Sequence, residues 1–180
     1  MRSRPPQLKR DALASRDVEH MCVLRVRGNK FEPAKYLASS KLEPYSVFRA
    51  GDPRFASRRN GKVYETSGFM VDVSRGPWNT LAGQAADAIA FLKKHRRTLH
   101  HLRSIPEVED IRLDFRLDLR IDREKVFAQF DYFPPELVSL AGALGFGLEI
   151  STYPRDLEQL ARRRRKPSGR KRRATLRKPR

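Results

Sequence analysis

The sharpest pattern in the chain is a strict alternation over residues 111–121. Ile111, Leu113, Phe115, Leu117, Leu119 and Ile121 occupy one parity, and Arg112, Asp114, Arg116, Asp118 and Arg120 the other. A period of two places alternate side chains on opposite faces of a strand, so this segment predicts a long strand with one apolar and one wet face. Residues 21–27 repeat the pattern, with Cys22, Leu24 and Val26 opposed to Arg25 and Arg27. Residues 67–74 do so again through Phe69, Val71 and Val73. The polar turn after Ile121 leads into the apolar-rich residues 126–133, and together with 111–121 these predict an antiparallel hairpin. A last strand is expected at 147–153, with Leu148 and Ile150 inward.

Helical spacing appears in three places. Leu81, Ala85, Ala88, Leu92, His95, Leu99 and Leu102 recur at steps of three and four, which predicts one long helix over residues 80–103. Pro33 suits a first helical turn, and Ala34, Leu37 and Ala38 give a short helix over 33–39. Tandem Pro134 and Pro135 open a third over 136–144, closed by Gly145. Residues 41–60, rich in Pro, Gly, Ser and Arg, read as irregular strands and loops. The resulting order fits an α+β domain over residues 21–154, with a mostly antiparallel sheet and helices on one face, a relative of the ferredoxin-like topology. Residues 1–20 read as a flexible extension. Residues 155–180 read as a short helix running into a disordered basic tail.

Charge changes the picture at that end. The chain of 180 residues has a net charge of +18, and residues 162–180 hold twelve basic residues and no acid. Arg162, Arg163, Arg164, Arg165, Lys166, Arg170, Lys171, Arg172 and Arg173 are the candidate polyanion contacts. Residues 21–161 hold only +4 of the charge, so the folded part is mildly basic. In the body, Arg49, Arg54 and Arg58 are interleaved with Tyr45, Phe48 and Phe55, a pattern in which stacking and anion contacts coincide. Trp78, at the entrance to the long helix, reads as a staple against the sheet or a recognition residue.

No catalytic or metal constellation emerges, and no cofactor is implied. Cys22 is the only cysteine, on the apolar parity of a strand, where a thiol packs. His95, His100 and His101 lack the four-residue spacing of a helical zinc pair. The glycines of GALGFG follow a helix and precede a strand, the reverse of a dinucleotide fingerprint. Asp114 and Asp118 alternate with arginines and read as a solvated charge ladder. No run reaches the length of a membrane span, and no secretory signal opens the chain, so the expected location is the cytoplasm.

The opening CVLRVRG with FEPAKYLASS, the strand SGFMVDV before the helix containing AIAFLKKH, and the closing FPPELVSLAGALGFGLEISTY resemble a bacterial family, domain of unknown function 4279, over residues 21–154. The resemblance implies no activity, cofactor or catalytic residue. The expectation is a non-enzymatic binding module engaging a protein partner, of which toxin-immunity proteins are one class. The alternative is a nucleic-acid-associated protein anchored without sequence preference by its arginine-rich tail.

Overall fold

The structure, a computed structural model, describes residues 21–54, 61–74, 80–121 and 127–154. The elements run β1 (Cys22–Gly28), α1 (Pro33–Ser39), β2 (Pro44–Phe48), β3 (Ser67–Ser74), α2 (Leu81–Lys94), α3 (Arg96–Arg103), β4 (Asp110–Leu119), α4 (Pro135–Leu144) and β5 (Gly147–Pro154). They form an α+β unit around one five-stranded sheet of order β2-β3-β1-β4-β5. The pairs β2–β3, β3–β1 and β1–β4 are antiparallel, and β4–β5 is parallel. The first four strands therefore have the split βαβ order of ferredoxin-like folds, and β4, α4 and β5 add one crossover unit at the edge.

The alternation of the sequence decides which face is covered. Cys22, Leu24 and Val26 of β1, Phe69 and Val71 of β3, and Ile111, Leu113, Phe115 and Leu117 of β4 are all buried in one cluster. That cluster also takes Tyr36 of α1, Leu81, Ala85, Ala88 and Leu92 of α2, Leu99 and Leu102 of α3, and Leu137, Ala141 and Leu144 of α4. All four helices thus lie against the same face. Each fully buried Leu or Phe removes enough apolar surface from water to contribute about 1.5–3 kcal/mol, which makes this the principal source of stability. Among the described residues no helix covers the opposite face.

Two expectations are corrected. The long helix is interrupted at His95, whose φ of −101° and ψ of 12° leave the helical region. The hydrogen-bond ladder survives the bend: His95 N–H donates to the Phe91 carbonyl and the His95 carbonyl accepts from Leu99, both at 2.9 Å. The apolar stripe therefore continues across it, which is why periodicity alone shows one helix. The second correction is the hairpin. Residues 127–134 form no strand, and the two sides of β4 are occupied by β1 and β5. The segment is instead tied down by side chains. Gln129 Oε1 accepts from Arg120 N–H at 2.9 Å, Asp131 pairs with the Arg120 guanidinium at 2.9 Å, and Phe133 tilts against Phe115 at 4.9 Å between centroids. Within 41–60, where irregular strands and loops are expected, Pro44–Phe48 forms an edge strand with a register irregularity between Pro44 and Ser46.

Candidate functional site

The helix-free face is built by the polar parity of the strands. Register places Arg25 of β1 between Met70 of β3 and Arg112 of β4, and Arg27 between Gly68 and Asp110. Like charges side by side, as at Arg25 and Arg112, are unfavourable unless each has its own counterion. Each has one. Arg25 Nη2 lies 2.6 Å from Asp114 Oδ2. Arg112 spans two carboxylates, reaching Asp110 through Nη2 at 2.6 Å and Glu149 through Nη1 at 3.3 Å. Arg27 Nε also meets Asp110, at 2.7 Å. The hydrogen bond to Asp110, helped by Glu149 and opposed by burial, holds the Arg112 guanidinium above its ordinary range.

Asp114 departs from the solvated ladder that alternation suggests. Its side chain is fully buried while Arg25 keeps a third of its surface exposed. The contact is electrostatic rather than directional, because despite the 2.6 Å approach neither Asp114 oxygen accepts a well-aligned hydrogen bond. The Nε atoms of Arg25 and Arg116 are likewise buried without an acceptor. Tyr45 stands in the same neighbourhood: its hydroxyl approaches the Met70 sulfur at 3.3 Å. Burial pushes that hydroxyl's pKa up, against the lowering pull of the Arg116 charge.

At the other end of the face, the described parts of the connection between β2 and β3, residues 49–54 and 61–66, pair with each other into an arm. Gly51 N–H donates to the Tyr64 carbonyl, Tyr64 N–H to the Asp52 carbonyl and Arg54 N–H to the Lys62 carbonyl, at 2.8 to 2.9 Å. Gly51, at φ 87°, supplies the left-handed residue its turn needs. Phe48 lies over the backbone of Gly68, where any Cβ would meet its ring tip at 2.7 Å and the Val26 carbonyl oxygen at 2.1 Å. Phe48 stacks on Tyr64 at 4.2 Å, and the Arg54 guanidinium sits 5.4 Å from the Tyr64 ring centre.

Between arm and sheet lies a groove of about 370 Å³. Arg25, Arg27, Arg54 and Arg112 line it with Asp110 and Glu149, beside Phe48, Tyr64, Thr66 and Met70. Four guanidiniums face two carboxylates there. A second cavity of about 340 Å³ adjoins α1, lined in part by Lys30, Lys35, Tyr36, His101 and Glu107. Its Tyr36 hydroxyl is committed to the Thr98 carbonyl at 3.0 Å, and burial pushes it up to about 12.

Of the residues singled out by sequence, Arg54 lines the groove. Arg49 sits exposed at the start of the arm's turn, its N–H donating to Asp52 Oδ2 at 2.8 Å, and is not among the lining residues. Arg58, Trp78 and the tail positions Arg162 to Arg173 lie outside the described residues. Arg25, Arg27, Arg112 and Tyr64 were not singled out. The signal for the first three was the shared polar parity of β1 and β4, which converges only once those strands are paired.

Cys22 is buried, and loss of hydration, with the Asp114 and Asp87 charges adding, pushes its thiol well above the ordinary range, so it is held as the neutral thiol. Among the described residues no group of three or more His, Cys, Asp or Glu is placed to hold a metal ion, and no helix is long and apolar enough to cross a membrane.

Comparison with protein-family models, curated proteins and solved structures finds no match to this chain.

Proposed function

We propose that the protein is a non-enzymatic binding module whose helix-free sheet face engages a protein partner. The observation that carries this reading is the groove on that face, walled by the Phe48–Tyr64 stack and floored by paired arginines. Ion pairs that cross-link three neighbouring strands hold those side chains in fixed positions, which lowers the ordering cost of binding. Aromatic and arginine side chains are also the residue types enriched where proteins bind one another. An immunity-type inhibitor, which acts by covering another protein, is one form of such a module. The resemblance to domain of unknown function 4279 rests on the motifs given above and is in keeping with a binding role.

The test is site-specific photo-crosslinking in the native cells, with the reactive side chain at Ser46 on the helix-free face or at Ala86 on the exposed side of α2. A discrete adduct from Ser46 and none from Ala86 is expected. Adducts from Ala86 alone would refute the reading.

A second reading draws on a different observation, the twelve basic residues of 162–180. In it the same domain is delivered to nucleic acid by a tail that contacts phosphates without reading bases.

A further inference from the structure

The groove's charges are unevenly committed. Arg112 is saturated, with Nε and Nη2 directed to Asp110 and Nη1 to Glu149. Arg27 gives only Nε to Asp110, and its side chain is 52% exposed. Arg54 has the Tyr64 ring and no carboxylate partner among the described residues. Among the described residues, Arg27 and Arg54 therefore bring guanidinium donors not taken up by a carboxylate to one concavity, which Asp110 of β4 and Glu149 of β5 also line.

That layout discriminates among anions. Tyr64 is engaged by the Phe48 ring and by the Arg54 guanidinium, so a nucleobase stacking there competes with contacts already made. A densely charged phosphate chain would run against Asp110 and Glu149. Carboxylates spaced along a polypeptide can reach the two free guanidiniums and leave the fixed acids uncontacted, and the paired geometry of guanidinium with carboxylate favours this.

We propose that this groove receives an acidic segment of the partner protein, its carboxylates bound by Arg54 and Arg27. The proposal rests on the sheet-face reading above and names the chemistry of the partner.

The basic tail will also attract acidic peptides, so the test must report from the groove itself. Met70 lines the groove and Met21 is fully buried elsewhere, which makes the methionine methyls a probe and an internal control. The full chain, labelled with 13C at its methionine methyls, is titrated with an octaglutamate peptide while peptide anisotropy follows total binding. The expected result is a saturable shift of Met70 with Met21 unmoved. Arg54→Gln, at an exposed position, should weaken the Met70 response at least about fivefold, and Arg54→Lys should weaken it less. Melting temperatures of both variants should match the parent.

Peptide binding by anisotropy with Met70 unmoved would overturn the proposal, as would indifference of the Met70 response to Arg54→Gln. Inorganic phosphate moving Met70 at concentrations as low as the peptide would overturn it in favour of a small-anion site. If Met70 stays still while crosslinks still form from Ser46, the acidic-segment assignment fails and the sheet-face reading survives. Absence of both removes both.

Discussion

Arg25 neutralises Asp114 across the β1–β4 pair at 2.6 Å, and the carboxylate it serves is fully buried although it stands on the face that no described helix covers. Removing the guanidinium leaves a charge without hydration or counterion. Arg25→Ala is expected to destabilise the domain by about 2–3 kcal/mol, somewhat below a fully buried pair because Arg25 is a third exposed. The double variant Arg25→Met with Asp114→Leu should recover most of that loss. Urea unfolding of the parent and the two variants checks this, and a double variant as unstable as Arg25→Ala would show that the ion pair is not the cause.

Leu117 and Arg116 are neighbours on β4 facing opposite ways, with Leu117 3% exposed in the core. Leu117→Asp should cost about 3–5 kcal/mol, the size expected for an unpaired charge in an apolar cluster. Arg116→Ser should cost about 1 kcal/mol, through the lost stacking of its guanidinium over Tyr153. Chemical denaturation of both distinguishes them; equal effects would mean that β4 is read one residue out of register.

His95, at the bend between α2 and α3, has its pKa lowered first by burial and then by the Lys94 charge. Since the unfolded chain protonates near the ordinary value of about 6.5, the unfolded state binds more protons as pH falls through that value. The stability contributed by the neutral imidazole is fully present above about pH 6.5 and is lost as pH falls through the lower folded value. His95→Gln should flatten the melting temperature between about pH 7.5 and 5.5 relative to the parent. A pH profile unchanged by the substitution would assign the dependence to another group.

Residues 1–20 and 162–180 have no apolar period long enough to join a core, so a chain of residues 21–161 should melt cooperatively near the full-length midpoint. The same comparison tests the second functional reading. If the tail contacts about six or more phosphates, duplex DNA affinity of the full chain should fall about a thousandfold or more between about 50 and 200 mM salt. The shorter chain should bind hardly at all. Equal binding by both would place the nucleic-acid surface on the folded domain.

Most of the fold was legible because two-residue and helical periods are local. The strand at 67–74, the helix at 33–39 and the left-handed Gly145 that ends α4 lie where the spacing places them. What the pattern could not carry was competition between segments. Residues 127–133 are apolar enough for a strand, but β5, brought round by α4, holds the place beside β4 that they would need. The site was less legible for the same reason. Arg27 and Asp110 are 83 positions apart, and only the antiparallel register of β1 with β4 makes them partners. Arg54 was visible as one arginine among several, and the stack of Phe48 on Tyr64 is what gives it a place.

The central place of β1 in the sheet also sets the timing of synthesis. Its neighbours β3 and β4 follow it in the chain, the second of them roughly 90 residues later. At about 5–20 residues per second, a ribosome leaves the Cys22, Leu24 and Val26 edge without its second partner for about 5–20 s. During that interval β1 is a natural target for a holdase, and slowing translation between β3 and β4 should lengthen chaperone occupancy of the nascent chain without changing the stability of the finished protein.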